Sequence, residues 1–267
     1  MIDLEDTKKA RTVLEANVAY HNLIASEYEI DASSAIIFSS ATQQRLHNIA
    51  SWLGDNTDGG LWVDIGCGTG NMLRSANKFF SMSVGFDISR EMLRIAQGRF
   101  IDICLSDAAF LPIQSKSASV VSAISVIHHI YDLESVLSEI YRVLKPGGYL
   151  YSDLDPNNDC LFLNPLLHRY VRWVYRKILF FVKRLSDLRE INPESIVPLQ
   201  DLAEYHQHNN LFTPGFVSTI ARKIGFSKVD VFLSFGALNP EMVGRKSDNI
   251  STMRNLSRPY FSLLLQK

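Results

Sequence analysis

The run Leu61-Trp62-Val63-Asp64-Ile65-Gly66-Cys67-Gly68-Thr69-Gly70-Asn71 constrains this chain more than any other stretch. Apolar, β-prone residues lead into an acid, glycines alternate after it, and a helix-compatible run follows. That is the pattern of a buried strand handing its C-terminal end to a tight turn and a helix start. Glycine lets the backbone turn sharply and come close to a ligand, and the N–H groups of a helix start face that ligand. A dinucleotide fingerprint has the spacing G-x-G-x-x-G; here the spacing is G-x-G-x-G. Asp64, two positions ahead of the first glycine, opposes a pyrophosphate and suits a nucleoside that carries an ammonium group.

The following segments extend the pattern. Ser83 to Ser89 reads as a second strand ending in Asp87, with Ser89 as N-cap of a helix over Arg90 to Gln97. Asp87 follows the glycine turn by roughly the 20-residue interval at which an acid grips ribose hydroxyls. Ile103 to Ala108 reads as a third strand ending in an acid, Asp107, and Val120 to Ile124 as a fourth leading into Ser125-Val126-Ile127-His128-His129. A helix then ends at Leu144-Lys145-Pro146-Gly147-Gly148, and a fifth strand is expected from Tyr149.

These motifs together resemble the class I S-adenosylmethionine (SAM)-dependent methyltransferases, in the small-molecule group with D-x-G-C-G-T-G, an acid after strand two, L-H-H after strand four and L-K-P-G-G before strand five. The resemblance is close over Leu61 to Asp155 and looser beyond. It implies a seven-stranded Rossmann-like α/β sheet, doubly wound, whose last strand runs antiparallel. It implies that Asp64, Gly66, Gly68 and Gly70 hold the methionine portion of SAM, Asp87 the ribose, and Asp107 with Ala108 the adenine. Ile88 and Ile124 are counted among the cofactor-binding residues. Where the family often has an acid before strand four, this chain has Ser119.

Outside that core three regions remain. Residues 1–55 show helical spacing over Ala10 to Ala25 and Ser40 to Leu53 and form an expected N-terminal helical cap. Within it His21 to Glu29 is similar to the family's aromatic-D-x-x-A-x-x-Y-D cap, with Tyr28 expected over the cofactor or packed against the core. Residues 56–157 are the expected SAM-binding core, 158–210 a helical lid insertion too long for an ordinary connection, and 211–267 the C-terminal part of the core. In that last part Thr213 and Pro214 open a helix that Gly225 stops, and Val229 to Leu233 and Tyr260 to Leu265 read as strands six and seven. In the lid, Leu166 to Leu185 projects as a basic amphipathic helix, with Arg169, Arg172 and Arg176 on one arc. Such a helix either packs its apolar face on the core or lies on an anionic membrane.

The balance of 27 Lys and Arg against 28 Asp and Glu gives no basic field, which argues against nucleic acid as the partner. Three cysteines without metal spacing fit a reducing compartment, so the expectation is cytoplasmic with possible peripheral membrane contact; no metal site is expected. Cys67 reads as a small space-filler in the turn.

Methyl transfer from a sulfonium needs alignment and desolvation more than protein chemistry. A base enters only if the acceptor must lose a proton, and His suits that task. His128 and His129 at the end of strand four and His206 and His208 in the lid are the candidate bases, His129 and His206 foremost, with Tyr205 and Asp153 as further pocket residues. Three functions fit: a methyltransferase of a small-molecule acceptor, a methyltransferase of a lipid or prenylated precursor docking through the basic helix, and a SAM-binding subunit without catalysis.

Overall fold

The computed structural model describes residues 4–31, 34–99, 102–158, 199–200, 202–204, 212–234 and 260–267. Three helices come first: α1 (Leu4–Ile24), α2 (Ala35–Phe38) and α3 (Ser40–Asp55). Strands and helices then alternate through β1 (Leu61–Ile65), α4 (Leu73–Ala76), β2 (Met82–Asp87), α5 (Arg90–Gln97), β3 (Ile103–Leu105), β4 (Ala118–Ile124), α6 (Leu133–Val143) and β5 (Leu144–Pro156). The later elements are α7 (Pro214–Ile224), β6 (Lys228–Ser234) and β7 (Tyr260–Gln266). One sheet holds all these strands in the order β3-β2-β1-β4-β5-β7-β6. β7 runs antiparallel to β5 and β6, and the other pairs are parallel. This is the Rossmann-like doubly wound sheet with its antiparallel last strand.

A parallel sheet covered on both faces needs strands that are apolar on both sides, and β1 shows why this sequence makes one. Successive side chains alternate across the sheet. Val63 and Ile65 join a core with Leu137 and Ile140 of α6 and Val217 of α7. Trp62 joins the opposite core with Leu46, Ile49 and Leu53 of α3. The helix ends follow their caps. Ser89 accepts the Met92 N–H at 3.2 Å, Thr213 accepts the Phe216 N–H at 3.1 Å, and α7 stops at Gly225 with φ +118°.

Helix α1 starts six residues earlier and β4 two residues earlier than expected, and two further boundaries differ through side-chain or cross-strand chemistry. β5 begins at Leu144 rather than Tyr149, because Leu144 pairs with Ala118 before the register skips to Val120 and Tyr149. The skip needs a bare backbone: a Cβ on Gly148 would come within 2.9 Å of the Ser119 carbonyl oxygen. β3 ends at Leu105 and does not run to Ala108, because the Asp107 carboxylate accepts the Ala109 N–H at 2.9 Å and turns the chain. At the base of β4 the Ser119 hydroxyl donates to Asp58, which also takes Lys145. Asp58 thus sets an acid beside Ser119 at the base of β4. The expected basic helix, Leu166 to Leu185, lies outside the described residues. Among the described residues no helix is long and apolar enough to cross a membrane.

Asp153, weighed above as a pocket residue, is instead a structural group in the core. Its carboxylate accepts Arg45 Nε at 2.8 Å, the Tyr151 hydroxyl at 2.7 Å and the Ser262 hydroxyl at 2.5 Å. The Arg45 and Asp153 side chains are 3% and 0% exposed. Breaking a buried pair by removing one partner is costly because the other charge stays buried. Arg45→Ala is therefore expected to destabilise the protein by about 3 kcal/mol, read as a lower urea midpoint. Arg45→Met with Asp153→Leu removes both charges but leaves the Tyr151 and Ser262 hydroxyls without their acceptor, so it should recover only part of that loss.

Candidate cofactor and acceptor site

In an open α/β sheet the strand order reverses at one point, and ligands bind beyond the carboxyl ends of the strands there. Here the reversal lies between β1 and β4. A cavity of about 360 Å³ opens at that place, between the ends of β1, β2 and β4 and the inner side of α1.

The β1 turn is built for close approach. Gly66, Gly68 and Gly70 have φ of +60°, +53° and +88°. A Cβ on Gly66 would come 2.5 Å from Val126 Cγ2. The Gly68 N–H donates to Asp87 Oδ2 at 2.8 Å, and the Ser89 N–H donates to Asp87 Oδ1 at 2.8 Å. One carboxylate therefore ties the glycine turn to the start of α5. Cys67 is buried against Gly85, where a Cβ would meet its Sγ at 2.7 Å, and burial pushes its thiol pKa up. It fills space and is not a reactive thiolate.

The cap reaches this turn through polar joints. Thr69 Oγ1 donates to Glu29 at 2.7 Å, and Arg99 and Arg74 hold the same carboxylate. Asn22 Oδ1 accepts the Ser89 hydroxyl at 2.8 Å and the Glu91 N–H at 3.2 Å, joining α1 to α5. Tyr28 lies over the turn; its Cε1 is 3.8 Å from where a Gly68 Cβ would stand.

Of the residues expected at the site, Tyr28, Gly66, Gly68, Asp87, Ile88, Asp107, Ala108, Ile124 and His129 line the cavity. Asp64 and Gly70 do not. Asp64 lies beneath the turn, 2% exposed, and accepts the Ser122 hydroxyl at 2.5 Å. Gly70 closes the turn by donating to the Cys67 carbonyl at 2.8 Å. His206, His208 and Tyr205 lie outside the described residues. His128 is buried and held by Asp155 Oδ1, 2.9 Å from its Nδ1. His129 keeps its Nδ1 2.8 Å from the Ala203 carbonyl.

The sequence reading did not assign roles to His21 and Asn17, which share this wall. The His21 ring stands edge-on to His129, centroids 5.2 Å apart, and its Nδ1 is 2.9 Å from the Asn17 carbonyl. The Asn17 side chain donates to the Val13 and His129 carbonyls at 3.0 and 3.3 Å. Its Oδ1 is buried without a hydrogen-bond partner. Leaving such an acceptor unmade costs about 1–3 kcal/mol. The helical i, i+4 spacing of Asn17 and His21 was the available signal; the partner that gives it meaning, His129, is distant in sequence.

These residues fit SAM. The bare glycine backbone admits an adenosyl group, the Asp87 carboxylate suits ribose hydroxyls, and Arg11, bonded to Glu15, is the one Lys or Arg on the described wall. A wall with one engaged cation does not suit a pyrophosphate.

Burial raises the Asp64 pKa to about 7, helped by the charge of Asp87 and opposed by the Ser122 hydrogen bond. Burial likewise raises Asp87 and lowers His21, where the Asp87 charge acts in the opposite sense. For Asp64 the folded value lies above the unfolded one, so the folded state holds the extra proton in between. Its contribution to stability is then present at low pH and lost as pH rises toward 7. Asp64→Asn, which keeps an oxygen for Ser122, should therefore raise the melting temperature more at pH 8 than at pH 5. Equal shifts at both pH values would place the Asp64 pKa in the ordinary range.

Comparison with known proteins agrees with this geometry. Residues 63–152 match the family model described as a methyltransferase domain. The tRNA (carboxymethyluridine(34)-5-O)-methyltransferase of Macaca fascicularis is 36% identical over 114 residues, 42% of this chain and 17% of that protein. This chain thus spans less than a fifth of that relative's length. The demethylmenaquinone methyltransferase of Chlorobaculum tepidum is 29% identical over 175 residues, 64% of this chain and 66% of that protein. Among solved structures, phosphoethanolamine N-methyltransferase 2 of Haemonchus contortus, with phosphomonomethylethanolamine and S-adenosylhomocysteine, superposes with a TM-score of 0.59 at 18% identity. The match covers 95% of this chain and 59% of that one. Residues 63–152 thus match a methyltransferase domain, and the fold around them is that of solved SAM-dependent methyltransferases.

Proposed function

We propose that this chain transfers a methyl group from SAM to a small-molecule acceptor held between α1 and the end of β4. The observation that carries this reading is that one cavity of about 360 Å³ joins the glycine turn and Asp87 to the imidazoles of His129 and His21. Bound SAM supplies an electrophilic methyl group. The protein's part is to bind, orient and exclude water. Asp87 takes the ribose hydroxyls, Asp107 and Ala108 the adenine, and the turn the methionine end. Asp64, beneath the turn, acts on the ammonium group by its charge. His129 stands at the acceptor side. Because the Ala203 carbonyl only accepts, His129 Nδ1 carries the proton and Nε2 the lone pair. Residues 1–55 act as the cap; most of the segment 158–210, with His206, lies outside the described residues.

The printed names of relatives include tRNA methyltransferases. Against an RNA acceptor stands the near-even charge, 27 basic and 28 acidic residues, since such binding leans on phosphate neutralisation. A lipid or prenylated acceptor is the second reading. It is favoured by the likeness to the demethylmenaquinone methyltransferase, which spans 64% of this chain.

Labelled SAM with fractionated metabolites, bulk tRNA and lipid extract separates these readings. Label is expected in the small-molecule fraction; label in tRNA alone would overturn the reading, and no label in any fraction would leave a SAM-binding subunit. Wild-type protein bound to anionic vesicles at low salt, with loss in Arg169→Gln, Arg172→Gln, Arg176→Gln, would move the acceptor to the lipid class. Asp87→Ala should weaken SAM binding by about 1.5–3 kcal/mol, roughly 10- to 150-fold, because it removes a charged acceptor for the ribose. An unchanged dissociation constant in the folded variant would remove Asp87 from the site.

A further inference from the structure

We infer that His21 of α1 is a further cofactor-binding residue: its Nε2 accepts a hydrogen bond from one ribose hydroxyl of SAM, and Asp87 takes the other. The inference rests on the SAM-binding reading of this cavity and adds to it a second side chain that reads the sugar.

The end of α1 is pinned to the turn that Asp87 organises. Asn22 accepts the Ser89 hydroxyl at 2.8 Å and the Glu91 N–H at 3.2 Å, and the Ser89 N–H is held by Asp87 Oδ1 at 2.8 Å. His21, the residue before Asn22, lines the cavity together with Asp87 and Ile88. Of the charges that act on the His21 ring, Asp87 is the strongest, ahead of His128 and Glu204. A sugar held on Asp87 therefore lies between that carboxylate and the imidazole.

The ring offers that sugar an acceptor. A backbone carbonyl only accepts, so His21 Nδ1, 2.9 Å from the Asn17 carbonyl, holds the ring proton. Burial favours the neutral ring, whose lone pair is then on Nε2. Among the described residues no donor reaches Nε2, and the side chain is only half-buried, so the lone pair stays open to the cavity. Asp87 likewise brings only acceptor oxygens, each of which already takes one backbone N–H. Two acceptors that face one another suit a vicinal diol, because each O–H group finds its own. They do not suit a sugar with a phosphate or methyl group on either oxygen, since that oxygen has no hydrogen to give and leaves one acceptor unmade.

Deleting the hydroxyls one at a time tests this without knowledge of the methyl acceptor. Dissociation constants of S-adenosylhomocysteine and of its 2′-deoxy and 3′-deoxy analogues are measured by calorimetry at pH 8, where the His21 ring is neutral. Wild-type protein should bind each deoxy analogue more weakly than the parent, by about three- to tenfold for the hydroxyl on His21 and by at least as much for the one on charged Asp87. In His21→Phe, which keeps a ring against His129, one of the two penalties should fall to under about twofold and the other should persist, the coupling pattern of a direct contact. If both penalties stay at their wild-type values in His21→Phe, or in His21→Leu should the first variant not fold, the inference is overturned. It is equally overturned if both penalties vanish together, or if wild-type protein binds all three compounds alike. If wild-type protein binds none of them, the SAM-binding reading itself fails, which is a separate result.

Discussion

The Asp87 carboxylate is the joint on which the site depends. One oxygen takes the Gly68 N–H and the other the Ser89 N–H, each at 2.8 Å. The first bond sets the turn that leaves β1; the second sets the start of α5. The carboxylate is buried, and burial alone would push its proton affinity up. Two backbone donors keep a charged group affordable there, since hydrogen bonds to the charged form favour it. The same charge reaches Asp64 beneath the turn and His21 across the cavity. A single side chain thus shapes the backbone, the electrostatics and the polarity of the cavity.

Around that joint the cap is held by side chains rather than by backbone. Glu29 binds Thr69, Arg74 and Arg99, and Asn22 binds the α5 start. These are partly exposed polar contacts, individually weak, and they connect α1 and its following turn to the segments that line the cavity.

Much of this was legible in the chain. The glycine spacing and the acids after strands one to three belong to local segments, so turn and strand ends could be read from their own residues. Ser89, Thr213 and Gly225 carry their cap chemistry within a few positions and were equally plain. The rest depends on partners far away. The early start of β5 reflects pairing of Leu144 with Ala118. Asp153 looks like a pocket acid until Arg45, 108 residues earlier, is seen to hold it. Asp64 carries the family acid, yet strand alternation puts it under the turn with Ser122 and off the cavity wall. His21 and Asn17 gain their meaning from His129, a contact that helical periodicity alone does not reveal.

The central claim is that the β1–β2 unit binds SAM and not a dinucleotide, and calorimetric titration of the whole chain tests it most directly. SAM and S-adenosylhomocysteine should each bind at one site per chain, with no heat from NAD under the same conditions. Tight binding of NAD with no response to SAM would contradict the account at its base.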